Sequence, residues 1–272
     1  MRVPAVAGQF YEDEPAALRR QVEACYTHPL GPGKVPVLED GPRTLRGLVV
    51  PHAGLVYSGP VAAHAYAALG RDGPPEVVVI LGPNHTGLGA SVAVGTVDWE
   101  VPIGRMRCDT DLARRLASRP PMTEDMVAHR FEHSIEVQLP FLLHLGLKAP
   151  FVPVCVGSQD LDPAVAVGER VREAIQGRDA LVIASTDFSH YVPKEQAYER
   201  DRLAYEEILR GDVKGFWRTI RKHDVSMCGY GPVMAMLTAV GPVRPQLLKY
   251  ATSGDVSPMR EVVGYASMAL YA

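Results

Sequence analysis

Histidine side chains follow three separate apolar runs of the sequence, at the point where each run gives way to a turn. The residues at these positions are His52, His85, and the pair Asp187 and His190. Such runs are typical of buried strands, and in open α/β sheets the ligand site lies beyond the carboxyl ends of the strands. Neutral imidazole is the commonest metal ligand in proteins and also a general base near neutral pH. One histidine in a turn is usually an exposed loop residue, but three at equivalent positions predict a shared site.

Cys228 is a further candidate because it precedes an apolar helix that is expected to begin near Pro232. A helix N-terminus stabilises a thiolate, which is the form of cysteine that binds a metal or attacks a substrate. A small buried residue is the alternative interpretation. The other cysteines, Cys25, Cys108 and Cys155, are assigned to the core or to no site. No C-x-x-C pair indicates a disulfide framework or a zinc ribbon.

The segment His129–His133 matches the H-x-x-E-H signature of inverted zinc peptidases. On a helix this spacing would put His129 and His133 on one face, so a zinc peptidase is one hypothesis. In the other interpretation, Glu132, His133 and Glu136 support the site at the strand ends from outside, or begin a helix.

Five side chains near these positions are candidates for contact with a substrate. They are Tyr57, Asn84, His133, Glu136 and Tyr230. Asn84 is the only asparagine of the chain and directly precedes His85. The two tyrosines could offer hydroxyl groups to a substrate or serve only as aromatic walls.

Composition and charge restrict the classes of function. The chain has 272 residues and a formal net charge of -3, without the basic segment that is typical of nucleic-acid binding. No apolar stretch approaches the ~20 residues that span a bilayer, and the first residues lack the apolar core of a signal peptide. We therefore expect a soluble, cytoplasmic protein without nucleic-acid or membrane partners. The phosphate loop, the G-x-G-x-x-G fingerprint and the G-x-S-x-G elbow are all absent.

The elements that must position these residues alternate between short apolar strands and amphipathic helices. Strands are predicted at 45–50, 76–81, 151–156, 180–184 and 261–270. Helices are predicted at 14–26, 59–69, 110–118, 134–145, 163–176, 195–211, 213–223 and 232–240. This alternation predicts one three-layer α/β/α domain over residues 1–272, with a largely parallel sheet. The segment 91–106 is typical of a strand pair or an extended loop, and a strand pair would make the sheet mixed.

Seven motifs are distributed over nearly the whole chain. They are RVPAVAGQFY, VPHAGLVYSGPVAAHAY, LGPNHTG, EHSIEVQLPF, ASTDFSHY, MCGYGP and VVGYAS. Together they make the chain resemble the Memo family, whose bacterial and archaeal members are called AmmeMemoRadiSam system protein B. The resemblance implies an α/β fold similar to that of the class III extradiol non-haem iron dioxygenases.

The resemblance also implies a metal pocket in which His52, His85 and Cys228 are the ligands, with Asp187 and His190 nearby. In the dioxygenases two histidines and a carboxylate hold Fe(II), and another histidine is the acid–base, a role that His190 would match. Here a thiolate takes the place of the carboxylate, and thiolates favour Cu(I), zinc or a low-potential iron. The implied cofactor is therefore iron(II) or copper, with zinc less favoured.

Two hypotheses of different classes follow from the resemblance. In the first, the protein is a metalloprotein in which His190, oriented by Asp187, transfers protons in an oxygen-dependent or redox reaction. In the second, it is a non-enzymatic scaffold that binds a peptide, a phosphopeptide or a small molecule in the same pocket and works with a radical-SAM partner. The family's eukaryotic members are described in both ways.

Overall fold

A computed structural model describes all 272 residues of the chain. The strands are β1 Leu45–Val50, β2 Val77–Pro83, β3 Val92–Val94, β4 Trp99–Val101, β5 Gly104–Met106, β6 Thr123–Glu124, β7 Phe151–Val156, β8 Ala180–Ser185, β9 His190–Pro193, β10 Arg244–Thr252 and β11 Glu261–Tyr271. The helices are α1 Pro15–Thr27, α2 Leu55–Asp72, α3 Thr110–Ala117, α4 Leu139–His144, α5 Leu161–Ile175, α6 Lys194–Arg210, α7 Val213–Lys222, α8 Tyr230–Val240 and α9 Ser253–Val256. A short 3₁₀ turn, Glu136–Gln138, leads into α4.

Nine of the strands form one sheet in the order β10-β11-β1-β8-β2-β7-β3-β6, with β9 paired to β11. The central strands β1, β8, β2 and β7 are parallel to one another. Antiparallel partners flank them, because β11 pairs with β1 on one side and β3 pairs with β7 on the other. The sheet is therefore mixed, with a parallel centre whose carboxyl ends lie at one edge.

Helices cover both faces of this sheet. Successive residues of a strand point to opposite faces, so in β2 Val79 joins one apolar core while Val78 and Ile80 join the other. The first core contains residues of α3 and α5 to α8, and the second contains residues of α1, α2 and α4. All residues of β2, β7 and β8 are buried as a result. The predicted three-layer α/β/α architecture is confirmed.

The predicted strands are all present, and β1 and β7 have the predicted bounds. The segment 91–106 forms β3 and the β4–β5 hairpin, so the predicted strand pair is present, although the hairpin is a separate two-stranded sheet. The predicted mixed sheet is confirmed, because β3 and β11 pair antiparallel with the parallel strands. The strand β10 was not predicted, because most of its residues are only partly buried at the sheet edge and form no continuous apolar run. The helix α2 begins at Leu55 rather than at Gly59, and Pro60 lies inside it.

The helix predicted at 134–145 is present as a 3₁₀ turn and a short α-helix rather than as one continuous α-helix. No helix includes His129 or His133. Two local features explain the difference. The Glu132 carboxylate accepts hydrogen bonds from the backbone N–H groups of His133 and Ser134, and Pro140 lies in the first turn of α4, where proline is favoured.

None of the helices combines the length and the apolar character that crossing a bilayer would require.

Candidate metal centre

The turns after β1, β2 and β8 carry their side chains to the same edge of the sheet. His52 follows β1 by two residues, His85 follows β2 by two residues, and Asp187 follows β8 by two residues. Cys228 reaches the same place from the turn before α8. One donor atom from each of His52, His85 and Cys228 lies within 4.8 Å of the others, which is close enough to hold one metal ion.

His52 and Cys228 are in direct contact, because Nε2 of His52 lies 3.3 Å from Sγ of Cys228. Nδ1 of His52 lies 2.9 Å from Oγ of Ser185, the last residue of β8. The backbone N–H of His52 donates to Oδ1 of Asp187 over 2.7 Å. Burial lowers the pKa of His52 well below its ordinary value, so the ring is neutral at neutral pH and can act as a ligand.

Cys228 lies against the turn that follows β8. Its Sγ accepts the backbone N–H of Asp187 at 3.3 Å, and the N–H of Gly229 donates to Oγ1 of Thr186 over 2.9 Å. A Cβ atom on Gly229 would lie 2.6 Å from the carbonyl oxygen of Ser185, so only glycine allows this close approach. Burial raises the pKa of the Cys228 thiol, with the Asp187 carboxylate adding to the shift. A cation beside the sulfur is therefore needed to favour the thiolate.

Glu132 supports two histidines of the site. Its carboxylate accepts the backbone N–H of His85 over 2.6 Å, and its Oε1 lies 2.9 Å from Nδ1 of His85 and 3.4 Å from Nδ1 of His133. The two imidazole rings stack with centroids 4.6 Å apart. Burial alone would raise the pKa of Glu132, but the hydrogen bond from His85 and the nearby imidazoles outweigh it and lower the pKa to about 2. Because an ionised carboxylate only accepts hydrogen bonds, Nδ1 of His85 carries the proton and Nε2 is its free nitrogen.

His190 is held by the turn before α8. Its Nδ1 lies 2.7 Å from the carbonyl oxygen of Ser226, and its backbone N–H donates to Oγ of Ser226 over 2.8 Å. Asp187 makes no hydrogen bond to His190, since Oδ1 of Asp187 accepts from the backbone N–H groups of His52 and Ala53. The predicted orientation of His190 by Asp187 is therefore corrected. The Ser226 carbonyl orients the ring and leaves its Nε2 free.

A cavity of about 540 Å³ opens beside the site. Its polar lining includes His52, His85, His133, Asp187 and His190, and its aromatic lining consists of Phe10, Tyr57, Tyr191 and Tyr265. Phe10 packs against His133 with ring centroids 4.5 Å apart. Burial lowers the pKa of His133 to about 4, against the opposing effect of Glu132. The cavity thus combines the neutral imidazoles of His52 and His133 with a largely aromatic mouth.

Three of the five candidate substrate contacts are not part of the cavity lining. Oδ1 of Asn84 accepts hydrogen bonds from Thr86 and Gly87 of its own turn, so it shapes the turn that carries His85. Tyr230 begins α8 and packs against an apolar core of the sheet. Tyr57 and His133 do line the cavity.

Glu136, the third candidate that does not line the cavity, is fully buried and binds the N-terminal segment. Its carboxylate pairs with the Arg2 guanidinium and accepts hydrogen bonds from the Tyr11 hydroxyl and from the backbone N–H groups of Ala5 and Val6. The same segment brings Phe10 to the cavity. Glu136 therefore holds a wall of the site in place.

His129 lies apart from the other histidines of the H-x-x-E-H segment. Its Nε2 is 3.2 Å from the carbonyl oxygen of Ala93, and its ring packs edge-on against Trp99. Burial lowers the pKa of His129 to about 4. The prediction that His129 and His133 share a helical face is wrong, because the segment is not helical and the two rings lie in different surroundings. His133 groups with His85 and Glu132, without His129.

Sequence reasoning missed three residues that support the site. Ser185 and Gln138 form a buried hydrogen-bonded pair behind His52, and Ser226 holds His190. Ser185 is the last residue of β8, one residue beyond the predicted end of this strand. Its position at a strand end, beside the turn with Asp187, is the signal that could have identified it. No comparable signal marks Gln138, whose contacts join distant parts of the chain.

Fold and site together define an α/β protein with two histidines and a cysteine grouped closely enough to hold a metal ion at the carboxyl edge of its sheet. The family model described as Memo-like protein matches residues 2–269, and the chain belongs to the Memo family. A MEMO1 family protein of Methanopyrus kandleri is 50% identical over 98% of both chains. Another, from Methanothermobacter thermautotrophicus, is 45% identical over 98% of this chain and 99% of its own length.

A solved structure supports the fold independently of these relatives. An uncharacterised protein of Escherichia coli K12 superimposes with a TM-score of 0.53 at 17% identity, over 82% of this chain and 99% of that chain. At this level of identity the likeness concerns the fold alone. It agrees with the α/β architecture described above.

Proposed function

We propose that the protein is a metalloprotein in which His52, His85 and Cys228 bind one transition-metal ion. One observation carries the proposal: donor atoms from three different turns lie within 4.8 Å of one another. The imidazole of His85 is also prepared for ligation, because its Nδ1 proton is held by the ionised Glu132 and its Nε2 is free. Metal-binding histidines in proteins almost always have such a partner on the other ring nitrogen.

The donor set fits a transition metal and excludes a hard cation. Calcium and magnesium select oxygen ligands, whereas two imidazoles and a thiolate suit iron, copper or zinc. We propose iron(II) or copper as the ion, with zinc as the less favoured choice. Bound at this position, such an ion would supply redox chemistry.

The chain's own residues would bind a small molecule beside the ion and move its protons. Nε2 of His190 is free because the Ser226 carbonyl holds the other ring nitrogen, so His190 can accept a proton from a ligand in the cavity. Asp187 holds the backbone at His52 in place. The rings of Phe10, Tyr57 and Tyr265 line the cavity and would exclude water from a bound ligand. We propose an oxygen-dependent or redox reaction for this arrangement.

Metal analysis tests the proposal. Protein purified without oxygen should contain about one iron or copper ion per chain, and His52→Ala and Cys228→Ala should each remove most of it. His223→Ala is the matched control, because His223 lies at the C-terminal end of α7, outside the cavity. Absence of stoichiometric metal in the parent protein, or equal metal content in all three variants, would rule the proposal out.

A second candidate function is a scaffold that binds a peptide or phosphopeptide, or a small molecule, at the same cavity and works with a radical-SAM partner. Its support is the exposed rim, where Tyr191 is 73% exposed and Tyr57 is 40% exposed. Oxygen uptake separates the two functions. Metal-loaded protein that consumes no oxygen with catechols or thiols, yet retains a peptide or partner in a pull-down, is a scaffold.

The zinc peptidase hypothesis has no comparable support, because His129 is bonded to Ala93 and lies outside the cavity. Zinc binding that survives His129→Ala would eliminate it. We further propose a cytoplasmic location, since all four cysteines are free thiols and a reducing compartment keeps them so.

A further inference from the structure

Ser185 lies at the centre of a buried hydrogen-bonded cluster behind His52. Its Oγ is 2.9 Å from Nδ1 of His52, 2.8 Å from Nε2 of Gln138 and 2.6 Å from the carbonyl oxygen of Ser134. Ser185, Gln138 and Ser134 are 0% exposed, and His52 is 1% exposed. Bulk water therefore does not reach this cluster, and its hydrogen-bond directions are set by the protein groups alone.

The direction of each hydrogen bond follows from groups that can only accept. The Ser134 carbonyl has no proton, so the single hydroxyl proton of Ser185 goes to it. The Pro51 carbonyl, 3.0 Å from the Gln138 side chain, requires the amide nitrogen on its side, and the same nitrogen then donates to Ser185. Oγ of Ser185 has one acceptor position left, and Nδ1 of His52 occupies it.

Tyr66 fixes the other end of the Gln138 amide. The Tyr66 hydroxyl donates to Oε1 of Gln138, and the Tyr66 ring stacks on Phe141 with ring centroids 4.8 Å apart. An amide turned the other way would put its oxygen against the Pro51 carbonyl, where two acceptors would face each other. The orientation of Gln138 is thus determined from both ends.

We propose that Ser185 is a positioning residue that keeps His52 in the tautomer with its proton on Nδ1. Nε2 of His52 then carries the lone pair and faces Sγ of Cys228 at 3.3 Å. The consequence for metal affinity rests on the proposed function, but the tautomer itself does not. The other site histidines are held differently, because the ionised Glu132 carboxylate and the Ser226 carbonyl can only accept hydrogen bonds. A hydroxyl can accept or donate, so His52 alone depends on how its partner is oriented.

Nuclear magnetic resonance of metal-free protein labelled with ¹⁵N-histidine tests the proposal directly. The parent protein should show His52 protonated at Nδ1. Ser185→Ala removes the acceptor, so we expect the Nε2-protonated tautomer to gain population, since Nε2–H can then donate to the nearby sulfur of Cys228. Ser185→Thr keeps a hydroxyl at the same place and should restore the parent tautomer. Ser267→Ala is the matched control, because Ser267 is a buried strand serine whose hydroxyl has no partner.

A titration with zinc, which reports on the ligand set without redox chemistry, gives the second readout. Ser185→Ala should weaken zinc binding about 10- to 100-fold, as is usual when the partner of a ligating histidine is lost. Ser185→Thr and Ser267→Ala should bind zinc as the parent does. A parent protein that shows the Nδ1 proton but binds no metal refutes the proposed function and supports the role of Ser185. The inference is overturned if His52 of the parent protein is protonated at Nε2, or if Ser185→Ala keeps both the tautomer and the zinc affinity of the parent. If the variants do not fold, the tautomer of His52 in the parent protein decides.

Discussion

Sγ of Cys228 lies 3.3 Å from Nε2 of His52, although 176 residues separate them in the chain. The two atoms belong to turns that are far apart in the sequence. The backbone N–H of Asp187, in a third turn, donates a hydrogen bond to the sulfur. A neutral thiol and a neutral imidazole form a weak hydrogen bond at this distance. Replacing the thiol proton by a metal ion would let both atoms donate lone pairs to one centre.

Replacing Cys228 should change which metals the site prefers. Cys228→Ser removes the soft ligand, and we expect zinc and copper(I) affinity to fall by more than about 100-fold, beyond the usual effect of losing only a supporting hydrogen bond. Cys228→Asp creates two histidines and one carboxylate, a set that suits iron(II). Competitive metal binding under anaerobic conditions measures both changes. Cys108→Ser, a half-buried cysteine outside the cavity, should keep the parent preferences, and an unchanged preference in Cys228→Asp would contradict the assignment.

Glu132→Gln should disturb two histidines at once. The amide can accept hydrogen bonds at only one of its ends. If its oxygen takes the place of Oε1, the backbone N–H of His85 loses its acceptor; if it takes the place of Oε2, Nδ1 of His85 and the backbone N–H groups of His133 and Ser134 lose theirs. We expect metal affinity to fall about 10- to 100-fold. We also expect the free energy of unfolding to fall by roughly 1–3 kcal/mol, the penalty for an unsatisfied buried donor.

Isothermal titration with zinc and urea denaturation measure the two effects of Glu132→Gln separately. Glu124→Gln is the control, because Glu124 is an exposed residue of β6, outside the cavity. Retention of both affinity and stability in Glu132→Gln would show that the carboxylate does not support the site.

The strands and the converging histidines could be predicted from the sequence, because both depend on local pattern. Strands such as β7 are buried on both faces, and this burial requires the continuous apolar run that marks them. The position of His52 and His85 after such runs then fixes them at one edge of the sheet. Nothing local marks Gln138, since its partners Pro51, Tyr66 and Ser185 are brought to it only by the fold.

The wrong prediction at His129–His133 has the same origin. Spacing alone is compatible with a helix, but the Glu132 side chain binds the backbone of its own segment and of the turn at His85. These competing hydrogen bonds replace helical ones. Glu136 is likewise a candidate for substrate contact only because it lies near His133 in the sequence. Its partner in the structure is Arg2, 134 residues away in the chain.

Glu136→Ala should destabilise the protein strongly. Arg2 and Glu136 are an ion pair with side chains only 4% and 0% exposed, so removing the carboxylate leaves a buried guanidinium without its partner. We expect the free energy of unfolding to fall by about 3–5 kcal/mol. Urea denaturation measures the change. The surface pair Arg202–Glu206 on α6 provides the control, because its side chains are 55% and 34% exposed and Glu206→Ala should cost less than about 1 kcal/mol. Equal losses in the two variants would contradict the structural role of Glu136.

The contribution of Asp201 to the free energy of unfolding should decrease as the pH rises from about 4 to about 6. Asp201 lies on α6, where its carboxylate accepts hydrogen bonds from the Ser189 hydroxyl and from the Tyr250 hydroxyl, each over 2.6 Å. Burial raises its pKa from 3.8 to about 6, in spite of these hydrogen bonds. The folded state therefore holds a proton that the unfolded state releases, so folding becomes less favourable between about pH 4 and pH 6.

Asp201→Asn removes this titration while keeping the shape of the side chain. The free energy of unfolding of the variant minus that of the parent should rise by about 3 kcal/mol between pH 4 and pH 7, the equivalent of a shift of roughly two pKa units. The buried, neutral His129 has the opposite pH dependence, because its pKa is lowered, but it is present in both proteins and cancels in the difference. Urea denaturation at a series of pH values measures the difference directly. A flat difference curve for Asp201→Asn would show that Asp201 titrates as an ordinary carboxylate.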